Sequence, residues 1–169
     1  YILDNNLRFP ELKWDDLHFN MEVIMDIDKV AICSNAGYHF FRSRPGSETT
    51  TVFDSMLYKK RKEQFEHIMR VYRHWNIKNR EILSVIYGYY ASRLVQCVQE
   101  ISISNNSKAD KKRMISDILN DKLSYTAIKK GRIESKVLSI AATPMRMHNV
   151  SLCIFMGKAC LLYTSPSPR

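Results

Sequence analysis

The sequence predicts a short α/β unit at its start, followed by a mostly α-helical extension. Within the first 53 residues, Asp15–Ile27 has apolar residues at helical spacing, and Val30–Cys33 and Tyr38–Arg42 are strand-like runs separated by turn residues. From residue 54 onward, apolar residues recur at helical spacing over long stretches. We therefore predict that residues 1–53 belong to an α/β domain and that residues 54–159 form a basic helical extension.

The individual helices of the extension follow from apolar periodicity, caps and breakers. Ser107 and Asp110 form a variant of the capping box, which predicts a helix start, and Gly131 is a typical residue after a helix end. Pro144 is expected to break the last apolar stretch into two parts. The predicted helices are Ser55–His74, Arg80–Ile103, Ser107–Leu119 and Ser124–Lys130, with a broken pair over residues 133–158.

Charge and cysteine content limit the possible classes of protein. Residues 1–53 carry five basic and eight acidic side chains, whereas residues 54–169 carry 21 and nine, so the net charge of +9 comes from the extension. The four cysteines are widely spaced and form neither a Cys-x-x-Cys motif nor a metal-binding pattern, which favours a reduced, cytosolic compartment. No apolar run is long enough to predict a transmembrane helix.

Both ends of the sequence are unusual. The chain begins at Tyr1 rather than at a methionine, which predicts that it is a piece of a longer protein. The last ten residues, Cys160–Arg169, resemble the translation of a sequencing adapter, so we expect them to be disordered and exclude them from fold reasoning. The alternative is a genuine Ser/Pro-rich disordered tail.

The stretch Lys13–Asn20 contains two adjacent carboxylates, Asp15 and Asp16, directly after Trp14. Carboxylates at the start of a helix are stabilised by its unpaired N–H groups, so one interpretation is a pair of helix-capping acids. The other is a general base at the rim of a cleft, with Trp14 excluding water from it.

The order of motifs resembles family-two glycosyltransferases of the GT-A fold, of the bacterial surface-polysaccharide type. The resemblance rests on the acid pair, on Phe19-Asn20 after it, on a short strand, and on the aromatic and arginine-rich segment Tyr38–Ser47. The family more often has Glu as the first acid, and tyrosines where this chain has His39–Phe41. The resemblance implies that residues 1–53 are the C-terminal part of a GT-A catalytic domain. It also implies that Asp16 is the catalytic base, with Asp15 either sharing that site or orienting the start of the helix.

The same resemblance implies how substrates bind. Arg42, Arg44 and Ser47 would clamp the diphosphate of a nucleotide-sugar donor, and His39 would contact the acceptor or bind a metal ion. The alternative for the arginines is a solvated hairpin end, and for His39 a histidine packed on a strand. A divalent cation, Mg²⁺ or Mn²⁺, would be held mainly by an N-terminal half that this chain lacks, so the chain by itself is expected to be inactive; no metal site is predicted among its own residues.

The acceptor implied by the resemblance is a glycan or a lipid-linked glycan, and the expected location is the cytoplasm or the inner face of the plasma membrane. The basic extension then has three interpretations: a solvated surface, attachment to an anionic membrane, and binding to nucleic acid. No nucleic-acid recognition motif supports the third, so we expect no nucleic-acid partner. The competing class of protein is a non-enzymatic basic helical module that binds nucleic acid or an anionic membrane.

Overall fold

The computed structural model describes residues 1–11, 15–32, 34, 37 and 55–164, and these form an all-helical fold. The helices, in chain order, are α1 (Asp15–Met25), α2 (Leu57–His74), α3 (Arg80–Ile103), α4 (Lys108–Asn120), α5 (Lys122–Lys130), α6 (Lys136–Ala141), α7 (Thr143–Arg146) and α8 (Val150–Thr164). No strand occurs within the described ranges, so the predicted α/β class, and with it a GT-A sheet, is wrong for this chain.

The predicted strand over Val30–Cys33 shows the reason for this error. Residues 30–32 adopt no regular structure, and Val30 and Ile32 are 74% and 94% exposed. A β-branched run becomes a strand only where a second strand pairs with its N–H and C=O groups, and no described residue does so here. The predicted partner, Tyr38–Arg42, lies outside the described residues, as does Cys33 itself.

The helical extension agrees closely with prediction because its helix starts carry strong local signals. Asn79 caps α3 by accepting hydrogen bonds from the N–H groups of Glu81 and Ile82, and the predicted bounds of this helix are confirmed. Ser107 caps α4 by accepting from the N–H of Asp110 at 3.0 Å, as the capping box predicts. Asp121 caps α5 by accepting from the N–H of Ser124, so this helix starts two residues earlier than predicted.

Helix α3 is the centre of the molecule and packs most extensively against α8 and α5, with further contacts to α2, α4 and α6. Its apolar residues lie on most of its circumference, as expected for a helix that is surrounded by others. The core around it includes the stacked rings of Phe65 and Tyr90, whose centroids are 4.1 Å apart. Ile115, Ile118, Ile128 and Met145 complete this core from α4, α5 and α7.

The last apolar stretch is broken at Pro144, as predicted. It forms three helices, however, where the sequence predicts two. Pro144 lies in the first turn of the four-residue α7, where its missing N–H removes no helical hydrogen bond. His148, with a positive φ of 56°, reverses the chain before α8. Helix α8 continues to Thr164, so it includes the first five residues of the adapter-like run, and residues 165–169 lie outside the description.

Helix α1 lies at the edge of the molecule and packs mainly on α2. Leu17 and Met21 provide its apolar contacts with the core. The segment before it is attached by a stack of Phe9 on Phe19, with ring centroids 3.9 Å apart. In the described part of the chain, no helix has both the length and the apolar character that crossing a bilayer requires.

Candidate functional site

Asp16 lies on the first turn of α1 and is exposed to solvent. Its Oδ1 accepts a hydrogen bond from the backbone N–H of Leu17 at 2.9 Å, which satisfies one of the N–H groups that the first turn of a helix leaves without a helical partner. Because the residue is exposed, this contact leaves the carboxylate accessible to a ligand. Asp15 is the first residue of the helix, and its side chain lies outside the description.

A cavity of about 320 Å³ lies beside the start of α1. It is bounded by the residues before α1, by the first turn of α1 and by the first turns of α2: Glu11, His18, Met56, Lys59, Lys60, Glu63 and Gln64. The ammonium groups can donate hydrogen bonds, the carboxylates can accept them, and the glutamine amide can do both. A ligand rich in hydroxyl groups, which also donate and accept, matches this balanced lining better than a strongly charged ligand does.

Two histidines meet where α1 packs on α2. The rings of His18 and His67 lie 4.7 Å apart between centroids, and Glu22 Oε1 is 3.6 Å from His67 Nε2. His18 Nδ1 and His67 Nε2 are buried and have no hydrogen-bond partner among the described residues. Burial lowers the pKa of His67, the charge of Arg70 and the proximity of His18 lower it further, and Glu22 opposes them. The imidazole of His67 is therefore favoured in its neutral form.

Further polar contacts attach α1 to the C-terminal half of α2. Arg70 donates to Glu22 Oε1 at 2.5 Å and contacts Nδ1 of His67 at 2.6 Å. His74 Nε2 lies 2.7 Å from Asp26 Oδ1, and the indole N–H of Trp75 donates to the carbonyl of Met25 at 2.7 Å. These contacts hold the helix that carries Asp16 in a defined position relative to α2.

The description includes only part of the predicted site. Asp16 is exposed on the first turn of α1 but is not among the residues that line the cavity. Trp14, His39, Arg42, Arg44 and Ser47 lie outside the described residues. Their proximity to Asp16 therefore stays a prediction. The described residues contain no group of three His, Cys, Asp or Glu side chains arranged to hold a metal ion.

Comparison with protein-family models, with curated proteins and with solved structures yields no match for this chain.

Sequence reasoning did not predict that Glu22 lies close to His67, or that His18 contacts His67. His18 and Glu22 are four residues apart and so share one face of α1, which is a signal visible in the sequence. That this face packs on His67, far along the chain, is not visible there. The sequence predicts a helix that contains Lys59 and Lys60, but it does not predict that they line a cavity together with His18.

Proposed function

We propose that this chain supplies the acceptor-activating part of an inverting glycosyltransferase, with Asp16 as the general base. One observation carries the proposal: the Asp16 carboxylate is exposed on the first turn of α1, and another residue of that turn lines a cavity that suits a hydroxyl-rich ligand. His18, two residues after Asp16, belongs to that lining. The resemblance of Asp15-Asp16 and Phe19-Asn20 to the family motif supports the same assignment.

In this proposal, Asp16 removes a proton from an acceptor sugar hydroxyl. The oxygen attacks the anomeric carbon of the nucleotide sugar and forms the new glycosidic bond. The bond to the nucleoside diphosphate breaks, the diphosphate leaves with the electron pair, and the configuration is inverted. The resemblance also implies a divalent cation, but the described residues offer no ligand set for one, so no step is assigned to it.

The test is the Asp16→Asn substitution in the protein expressed from its complete gene. Release of nucleoside diphosphate from a panel of nucleotide sugars is measured with and without glycan acceptor. We expect turnover to fall by about 100-fold or more, because a positioned general base contributes about 10²–10⁴ to the rate. Asp28→Asn removes an equally exposed carboxylate beyond the end of α1 and serves as the matched control.

Circular dichroism of both variants checks that the helices are intact. Turnover by Asp16→Asn that equals that of Asp28→Asn would remove the catalytic role and leave Asp16 as a helix-capping residue. A wild-type protein that releases no nucleoside diphosphate with any donor and acceptor would contradict the transferase proposal as a whole.

A specific observation also supports the second candidate, a contact with an anionic membrane surface. Four large apolar side chains on or beside α6–α8 are more than half exposed, namely Val137, Ile140, Met147 and Phe155. Exposed basic residues Lys129, Lys130, Arg132 and Lys136 precede them or begin α6. Apolar side chains that enter a bilayer interface, together with cations that attract anionic headgroups, are typical of peripheral attachment.

A further inference from the structure

A second cavity adjoins α3 and lies far along the chain from α1. Its volume is about 470 Å³, within the range of about 300–1,000 Å³ typical of small-molecule sites. Six of its lining residues form one stripe on α3, at helical spacing: Val85, Gly88, Tyr89, Ser92, Arg93 and Gln96. The facing wall is the segment after α5, with Arg132, Glu134, Ser135 and Leu138.

The two walls of this cavity are attached to each other at one end. Gly88 and Gly131 allow the backbones to touch, since a Cβ on Gly88 would lie 1.9 Å from the carbonyl oxygen of Arg132. The N–H of Arg132 donates to the carbonyl of Ser84 at 2.9 Å, and the Ser84 hydroxyl donates to the carbonyl of Lys130 at 3.1 Å. The two walls of the groove are therefore held together at this end mainly by backbone contacts.

The lining combines cations with an apolar and aromatic surface. Arg93 lies over the ring of Tyr89, 5.2 Å from its centroid, and donates to Gln96 Oε1 at 3.1 Å. Within the described part of the chain, the Arg93 guanidinium has no carboxylate partner. Arg132 lies 3.8 Å from Glu134, the one acidic residue of the lining, and both side chains are mostly exposed. The two arginines thus leave one positive charge uncompensated in the groove.

We propose that this groove binds a phosphate ester. Guanidinium groups pair with phosphate oxygens through two parallel hydrogen bonds, so Arg93 and Arg132 would hold the phosphate from opposite walls. The hydroxyls of Ser92 and Ser135 can donate further hydrogen bonds to it. Tyr89, Val85 and Leu138 would contact the organic part of the ester. This inference uses no residue of the α1 site and is independent of the proposed transferase role.

The test is isothermal titration calorimetry of the full chain with three soluble probes. Inorganic phosphate represents the free anion, uridine diphosphate a nucleotide, and sn-glycerol 3-phosphate the headgroup of an anionic lipid. We expect saturable binding of one molecule per chain. Tighter binding of uridine diphosphate would indicate a nucleotide ligand, and tighter binding of sn-glycerol 3-phosphate would indicate a lipid headgroup. Arg93→Gln and Arg132→Gln should each weaken binding by about tenfold or more, because each removes charge-assisted hydrogen bonds.

Arg113→Gln is the matched control, because it removes the same charge from an exposed position on α4 that does not line the groove. We expect its affinity to remain within about twofold of wild type, since exposed charges interact weakly at physiological ionic strength. Failure of all three probes to bind at low-millimolar concentration would overturn the proposal. Equal weakening by Arg93→Gln and Arg113→Gln would also overturn it, since the binding would then be non-specific attraction.

Discussion

At the scale of single residues, Ser124 joins three helices through one buried hydroxyl. Its Oγ lies 3.1 Å from the hydroxyl of Tyr58 on α2 and 3.0 Å from that of Tyr90 on α3. Burial raises the pKa of both phenols, so they are present as neutral hydrogen-bonding groups. Sequence reasoning assigned Ser124 to the start of a helix, and the structure gives it this second role.

The neighbouring Asp121 extends this polar network. Burial alone would raise the pKa of its carboxyl, but the hydrogen bond from Lys62 and those from Ser124 hold the pKa below its usual range. Asp121 is thereby an N-cap of α5 and an ion-pair partner of α2 at the same time. A buried polar network of this kind favours one arrangement of α2, α3 and α5, because displaced partners would be left unsatisfied.

We predict that Ser124→Ala lowers the free energy of unfolding by about 1–3 kcal/mol, because buried phenol groups lose their partner. Urea denaturation followed by circular dichroism measures the change. Ser151→Ala, an exposed position on α8, is the control and should stay within about 0.5 kcal/mol of wild type. Equal stability of the two variants would mean that the hydrogen bonds of Tyr58 and Tyr90 with this hydroxyl do not stabilise the fold.

At the scale of elements, the attachment of α1 to α2 depends on protonation. His67 faces His18 and Glu22 from α1 and Arg70 from its own helix. Its pKa in the folded protein is lowered, chiefly by burial, whereas in a detached or unfolded state it has its ordinary value of about 6.5. The detached state thus binds a proton more readily than the attached state does. His67 therefore stabilises the attachment fully above about pH 6.5, and this stabilisation is lost as the pH falls through the pKa of His67 in the folded protein.

We predict that acidification from about pH 7.5 to about pH 5 increases hydrogen exchange in α1 before it affects α3. Exchange measured by mass spectrometry resolves the two helices. His67→Gln should reduce this pH dependence, whereas the control His148→Gln, at an exposed position in the α7–α8 turn, should keep it. If α1 exchanges at the same rate at both pH values, or if His67→Gln responds to acid as wild type does, this account of the attachment is wrong.

The glycines show how one residue can determine where elements approach. A side chain at Gly88 would collide with the backbone of Arg132, and one at Gly131 with that of Gly88. The sequence analysis used Gly131 only as a helix terminator. Its close approach to α3 is a tertiary property, because Gly88 and Gly131 are distant in the sequence and become neighbours only when α5 packs on α3.

At the scale of the whole molecule, the excess of positive charge lies on a helical bundle that also exposes apolar side chains. Phe155 is 66% exposed and Ile140 is 62% exposed, on α8 and α6 respectively. Exposed apolar side chains are common on protein surfaces when they are scattered singly. The exposed basic residues between 129 and 136, close to them in the chain, are what make this surface a candidate for contact with anionic lipid.

We predict that the protein co-sediments with vesicles of phosphatidylserine and phosphatidylcholine, and that added salt weakens the binding. Ile140→Ser and Phe155→Ser should each reduce binding by about tenfold, because each removes apolar area that would otherwise be buried. Val30→Ser, which alters an exposed apolar residue before α2, is the control. Tighter binding to an RNA oligonucleotide than to these vesicles would favour the nucleic-acid alternative, and loss of binding by Val30→Ser would exclude the α6–α8 surface as the specific contact.

Local signals in the sequence are sufficient to predict most of the helical structure of residues 55–158. Asn79, Ser107, Asp121 and Pro144 act on backbone groups a few residues away, so their effects are readable without knowledge of the fold. The same holds for Asp16, whose place on a first helical turn follows from local spacing.

The tertiary structure alone decided the fold class, the contact of His18 with His67, and the groove at Arg93 and Arg132. Each depends on pairing between residues that are distant along the chain, and apolar periodicity does not specify such pairs. Val30–Cys33 has the composition of a strand, but the described residues provide no neighbouring strand to accept its hydrogen bonds. Strand formation therefore depends on a partner, whereas helices satisfy their own backbone groups, and this is why the helical predictions were confirmed and the α/β prediction was wrong.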